Sequence, residues 1–182
     1  DKLLNQLTTE EMTRIVTGSA LTTIPSIAYP AMFMKDGPQG NQLRTYVEDG
    51  TSATGFCGEV LRACSFNREL MYEVGTAMGE DWYRTDTEGA YTPAVNIHRT
   101  PYAGRNFEYY SEDGFLSGEL ATQEVEGLQD HGVICYIKHF ALNDQETNRQ
   151  GICTFSNEQA IREIYLKAFE KPFTEGKVKG SM

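Results

Sequence analysis

The sequence predicts an α/β fold of parallel (β/α) units, roughly the first half of a TIM-type (β/α)8 barrel. Three observations carry that prediction. Strand-like runs at 31–35, 90–97 and 133–138 alternate with stretches of helical periodicity. The run at 133–138, VICYIK, is almost continuously apolar, as expected of a parallel strand covered on both faces. Each strand-like run ends in a polar cluster, the position where barrels of this kind carry their chemistry. A closed barrel needs eight strands; three runs and a stub at 178–182 are legible, about half of one.

Taken in order, Thr8 and Glu11 have capping-box spacing and start a helix that should run to about Gly18. Residues 21–30 carry Pro25 and Pro30 and read as irregular. AMFMK (31–35) is a short strand stopped by the turn Asp36-Gly37-Pro38, which leaves Asp36 at a strand's C-terminal end. Residues 37–56 read as a long polar loop, a length that usually serves a function. A short helix is expected at 57–64. A longer one, capped by Asn67, should run to about Arg84 with Met71, Val74, Met78 and Trp82 at helical spacing. AYTPAVNI (90–97) is the second strand, with Pro93 better suited to its end or to an edge than to a ladder's centre. Leu116, Leu120, Val125 and Leu128 mark a helix ending near Gly132. After the third strand and a polar connection at 141–155, Ser156 and Gln159 have capping-box spacing. A final amphipathic helix should follow, kinked or shortened by Pro172 and ended by Gly176. The whole chain, 1–182, reads as one partial barrel domain with no second domain.

Composition is that of an ordinary globular chain, with 40% hydrophobic and 23% charged residues. A net charge of −10 argues against nucleic acid and anionic membrane as partners. No apolar run is long enough for a transmembrane helix, and no signal peptide is visible. The first residue is Asp1 rather than methionine, so a processed form, an expressed segment or a piece of something longer is expected. Cys57, Cys64, Cys135 and Cys153 lack CxxC spacing and read as buried free thiols rather than metal ligands. The seven-residue interval would place Cys57 and Cys64 on one helix face. No GxGxxG follows the first strand, so a dinucleotide site has no support. Nothing fixes a compartment.

The stretch GRNFEYYSED (104–113) is too polar for a core strand and follows the second one. It holds Arg105, Glu108 and two adjacent tyrosines, of which at most one should face a pocket. Across the chain, the strand ends offer Asp36, then Asn96, His98, Arg99, Arg105 and Glu108, then Lys138, His139, Asp144, Glu146 and Arg149. Parallel strands bring such ends to one face, so these residues should converge. A carboxylate, several arginines, a lysine, a histidine and aromatic rings suit a polyhydroxylated ligand, whose adjacent hydroxyls they can bracket with hydrogen bonds. Simpler roles stand beside these. Asp36 could serve only its turn, and His139 could be a satisfied core histidine. Lys138 could form a Schiff base if burial lowers its pKa, though ion pairing is the commoner fate. Glu80-Asp81-Trp82 reads as a solvated helix face with a packed tryptophan.

DGPQG (36–40), VNIHRTPYAGRNFEYYSED (95–113), LSGELA (116–121), GVICYIKHFALNDQETNR (132–149) and REIYLKAFE (162–170) together resemble glycoside hydrolase family 3, in particular its β-glucosidase-type members. The resemblance spans nearly the whole chain in the family's order. It implies a barrel domain that binds the non-reducing terminal sugar of a β-glucoside, or glucose, with no metal or organic cofactor. It implies that Asp36 holds distal hydroxyls and that Arg105, Lys138 and His139 clamp the ring hydroxyls. Arg149 would support the pocket, Arg44 would correspond to the arginine shortly after DGP, and Glu108 would hold the arginines in place. The family hydrolyses with retention, using an aspartate nucleophile from a Ser-Asp-Trp-type motif on a later strand and an acid/base glutamate from a following domain. Such hydrolysis needs two carboxyl groups about 5–5.5 Å apart. Neither member of that pair is expected within this chain, so little or no hydrolysis is expected of it alone. The segment FCGEVLRACSFN (56–67) departs from the smaller, Pro- and Ala-rich sequence usual there. The readings left open are a non-catalytic sugar-binding or self-associating half-barrel and, third, a Schiff-base enzyme using Lys138. An incomplete barrel leaves edges bare, so a homo-oligomer or the missing remainder of the enzyme is the expected partner.

Overall fold

The computed structural model describes residues 1–17, 23–42 and 52–182. Four parallel strands form one sheet in the order β1-β2-β3-β4: Met34–Asp36, Gly89–Tyr91, Ile134–Ile137 and Gly180–Ser181. Asp36 pairs with Tyr91, Ala90 with Cys135 and Ile137 with Ser181, so the C-terminal ends of the strands share one side. Helices α1 (Thr9–Val16), α2 (Glu59–Ala63), α3 (Arg68–Arg84), α4 (Gly114–Gln129), α5 (Glu158–Ala160) and α6 (Lys167–Thr174) fill the intervals.

The capping chemistry mostly follows the sequence. Thr8 and Glu11 close a reciprocal box, with bonds of 2.7 and 3.2 Å to each other's backbone amides. The Asn67 side chain accepts from Leu70 N at 3.0 Å, and Asp113 accepts from Phe115 N and Leu116 N. Gly132 follows α4 with a φ of +79°, the left-handed conformation of a helix stop. Met71, Met78 and Trp82 of α3, Leu120, Val125 and Leu128 of α4, and Ala168 and Phe169 of α6 close over Ala90, Cys135 and Ile137 of the sheet. The Trp82 ring also lies against Gly37, where a β-carbon would overlap it, so the tryptophan seats the turn that follows Asp36.

Several local expectations are corrected. The first ladder starts at Met34 instead of residue 31, because Phe33 gives its N–H to the Glu88 side chain rather than to a neighbouring strand. The second strand is a ladder only over Gly89–Tyr91. Pro93 has no N–H to give, yet its carbonyl accepts from Lys138 N at 3.1 Å, and pairing resumes as a bridge between Ala94 and Lys138. The last helical region is capped by Asn157, whose side chain accepts from Ala160 N, while Gln159 turns to Glu163. Helix α6 continues through Pro172 to Thr174, and the irregularity lies earlier, in a wide π-turn at Ile161–Tyr165. Of the four cysteines only Cys135 is buried; Cys57 precedes α2 and Cys64 caps its outer end, so both are exposed, as is Cys153. No helix among the described residues is long and apolar enough to cross a membrane.

Candidate functional site

The strand ends meet at an open cleft of about 470 Å³. Asp36, Arg105, Lys138, His139 and Arg149 all line it, together with Asn143, Ile152 and Met182. Arg44, the remaining predicted member, lies outside the described residues. Asp36 arrives as the last residue of β1, and Lys138 and His139 follow β3. Arg105 comes from the loop after β2 and Arg149 from the connection after β3.

Lys138 is fully buried, yet its ammonium reaches two carboxylates. It pairs directly with Asp36 and lies 3.7 Å from Glu108 Oε2. Glu108 is buried too, and its other oxygen holds Arg105 Nε. One carboxylate thus fixes both an arginine and the lysine, where the sequence pointed to arginines alone. Burial opposes the charge on Arg105, but Glu108 outweighs it and the guanidinium's pKa is raised. Arg149 is held at 3.0 Å by Glu146. Asp36 keeps 37% of its side chain exposed, so it can pair with the lysine and still face a ligand.

His139 is held at both ends. Its backbone N–H donates to Asn96 Oδ1 at 2.7 Å, and its Nδ1 lies 3.1 Å from the Tyr109 hydroxyl. Burial, then the cations of Arg105 and Lys138, press its pKa down to about 3, so the ring is neutral over the ordinary pH range. Tyr109 is pushed up to about 12 by burial and keeps its proton. Among the described residues, no group of three or more His, Cys, Asp or Glu side chains is placed to hold a metal ion.

Other predicted members do not line the cleft. His98 is spent on the Asn106 carbonyl, 2.9 Å away, and braces the loop that carries Arg105. Arg99 sits 5.7 Å above the Tyr165 ring, and the Tyr165 hydroxyl donates to Asp144. Glu80 pairs with Arg84 on an exposed face, and Trp82 is packed, with Nε1 donating to Gly89 O.

A second charged cluster lies sealed in the interior, and no motif pointed to it. Arg62 Nη1 donates to Glu124 Oε2 at 2.8 Å, and its other terminal nitrogen donates to Pro38 O and lies 3.4 Å from Glu59. Glu59 accepts from Ala94 N at 3.1 Å, and the Tyr110 hydroxyl donates to Glu124 at 2.6 Å. All four side chains are buried. Burial and the nearby Glu124 push the pKa of the Glu59 carboxyl up, against the opposing pull of Arg62. The cluster anchors the turn after Asp36 through Pro38 and the extended chain after β2 through Ala94. A signal existed in the sequence. Glu124 stands four residues from both Leu120 and Leu128, inside the apolar stripe of α4.

The sequence profile described as the glycosyl hydrolase family 3 N terminal domain matches residues 3–182. The chain belongs to glycosyl hydrolase family 3. It is similar to beta-glucosidase A of Butyrivibrio fibrisolvens, with 48% identity over 147 residues, 81% of this chain and 18% of that protein. It is also similar to thermostable beta-glucosidase B of Acetivibrio thermocellus, with 38% identity over 180 residues, 93% of this chain and 24% of that one. Among solved structures it resembles beta-glucosidase 3B from Thermotoga neapolitana in complex with alpha-D-glucose. The TM-score is 0.81 and the identity 46%, over 85% of this chain and 22% of that one. The beta-glucosidase from Kluyveromyces marxianus in complex with glucose gives a TM-score of 0.90 at 28% identity, over all of this chain and 22% of that one. The chain spans about a fifth to a quarter of the length of these family 3 relatives. Its parallel sheet is the early part of the family's N-terminal, barrel-like domain.

Proposed function

We propose that the chain is the sugar-holding portion of a retaining β-glucosidase that acts on terminal non-reducing β-D-glucosyl residues. The observation that carries this reading is the meeting of Asp36, Arg105, Lys138, His139 and Arg149 at one cleft, in a chain 46% identical to a beta-glucosidase solved with glucose. Asp36 accepts from distal hydroxyls, and Arg105, Lys138 and His139 bracket the ring hydroxyls. Arg149 braces the wall, and Arg44 is assigned to sugar binding as well. The nucleophile aspartate and the acid/base glutamate come from outside the 182 residues, which act as a single partial barrel domain. The carboxylates near the cleft support this division. Asp36 is tied to Lys138, Glu108 to Arg105 and Lys138, and Glu146 to Arg149. Each is committed to a cation that lines the cleft, which suits the holding of binding residues. Calorimetric titration with glucose and an assay on an aryl β-glucoside test the two halves of the proposal. Binding without turnover is the expected outcome. Absence of glucose binding sinks the site, and family-typical turnover sinks the division of labour.

The outer edges of β1 and β4 have no ladder partner among the described residues. They favour pairing with the rest of a longer enzyme or with a second copy. Light scattering that shows a compact, stable monomer overturns this part.

A further inference from the structure

The groups behind His139 form a chain whose hydrogen-bond directions are fixed from one end. Glu146 pairs with Arg149 at 3.0 Å and, as a carboxylate, can only accept. Asn143 lies 3.0 Å from Glu146 Oε1, so it must turn its amide nitrogen toward that oxygen. The same Nδ2 lies 2.9 Å from the Tyr109 hydroxyl and gives it the second amide proton. Tyr109 therefore accepts from Asn143 and has its own proton to place. Among the described residues the hydroxyl's other partner is His139 Nδ1, 3.1 Å away, so the buried phenol directs its proton there and Nδ1 is the bare nitrogen. The rings meet edge to face, with centroids 6.0 Å apart at 76°. The His139 backbone is pinned by Asn96, so the ring cannot drift from this partner.

We propose that Tyr109 and Asn143 are positioning residues that lock His139 as its Nε2–H tautomer, so that the ring offers a donor, never an acceptor, to a sugar hydroxyl in the cleft. The proposal rests on the glucose reading of the site only for the identity of that hydroxyl. The tautomer itself follows from the order Glu146, Asn143, Tyr109, His139. Nε2 has no hydrogen-bond partner among the described residues, and His139 lines the cleft. A ring with a fixed donor selects a hydroxyl that points a lone pair at it, so the histidine discriminates by direction as well as distance. The low proton affinity of the ring agrees, since an imidazolium would donate from both nitrogens and lose the bond from Tyr109.

The test is the nitrogen-15 spectrum of the chain labelled at histidine, combined with glucose titration. Only His98, His131 and His139 contribute signals, and single His→Gln variants assign them. The wild type should show His139 with an unprotonated Nδ1 and a protonated Nε2. Tyr109→Phe keeps the ring packing but removes the proton. It should give a mixture of tautomers and weaken glucose binding about tenfold, the scale of one hydrogen bond. Asn143→Ala, at a half-exposed position, frees the Tyr109 hydroxyl to turn and should shift the tautomer in the same direction; it decides the matter if Tyr109→Phe does not fold. A wild-type His139 protonated at Nδ1 overturns the proposal. So does an unchanged tautomer in both variants, or glucose affinity within about twofold of wild type in a variant whose tautomer has changed. A wild type that binds no glucose but shows protonated Nε2 overturns the glucose reading and supports the tautomer assignment.

Discussion

Two clusters built from the same residue types sit on either side of one turn, and they do different work. In the sealed cluster, Arg62, Glu59, Glu124 and Tyr110 face one another and the backbone, with water excluded. In the open cluster, Lys138, Arg105 and Arg149 are each steadied by a carboxylate, and one flank faces the cleft. The contrast teaches that charge content does not mark a site. What marks it is paired charge that keeps a flank on open space. Mutations should separate the two, stability following the sealed cluster and sugar affinity the open one.

The largest expected effect comes from Arg62→Met, which leaves Glu124 buried without its cation. Urea denaturation should show a loss of about 3–5 kcal/mol, with any fall in glucose affinity arising only through the Pro38 turn. Replacing Arg62 and Glu124 together by Met and Leu should cost clearly less than Arg62→Met alone, because no charge is then stranded. Equal costs would show that the pair is not coupled. Next comes Lys138→Met, for which titration calorimetry should give a loss of about 2 kcal/mol in glucose binding, the scale of a charge-assisted hydrogen bond. Its effect on stability should be smaller than that of Arg62→Met, since Glu108 keeps Arg105 and Asp36 is partly in water.

The adjacent tyrosines give the sharpest comparison at smaller magnitude. Tyr110→Phe removes a donor from Glu124 and should cost about 1–2 kcal/mol of stability with glucose binding unchanged. Tyr109→Phe should instead lower glucose affinity, by about tenfold. The last comparison is one of slope, with pH. His139 has a folded pKa of about 3 against 6.5 unfolded, so the unfolded chain takes up the proton first as pH falls. Stability from this residue is therefore present above pH 6.5 and lost as pH drops toward 3, and His139→Gln should flatten that part of the curve. Glu59 has the opposite sign. Its folded pKa is raised, so it costs stability as pH rises above 4.5, and Glu59→Gln should recover some of it at neutral pH. Denaturation series at pH 4.5 and 7 check both signs.

The open cluster was legible in the sequence because strand ends can be read. Asp36 follows an apolar run into a turn, and Lys138-His139 ends the clearest strand of the chain. Parallel pairing then brings them together with no further information. The sealed cluster was not legible in this way. Glu59 and Arg62 belong to a short segment with a mixed pattern, and their burial depends on α4 packing against them from sixty residues away. The break of the second ladder at Pro93 was anticipated in kind. That pairing resumes beyond it was not, since a proline carbonyl still accepts where its nitrogen cannot donate. The choice of Asn157 over Ser156 as cap turned on one residue of register, and Cys57 and Cys64 stayed exposed because α2 spends its inner face on charge.

Tyr109 has φ −115° and ψ 145°, an extended conformation that sends consecutive side chains to opposite sides. One dipeptide thereby feeds both clusters, with Tyr109 toward His139 and Tyr110 toward Glu124. The segment is pinned on either flank, by His98 Nε2 against Asn106 O and by the Asp113 cap of α4. Its length is therefore as constrained as its composition. Losing or gaining a single residue between Asn106 and Asp113 would exchange the two phenols, handing the cleft the ring that belongs in the interior. Substitutions can be absorbed here one at a time, whereas a frame of one residue cannot.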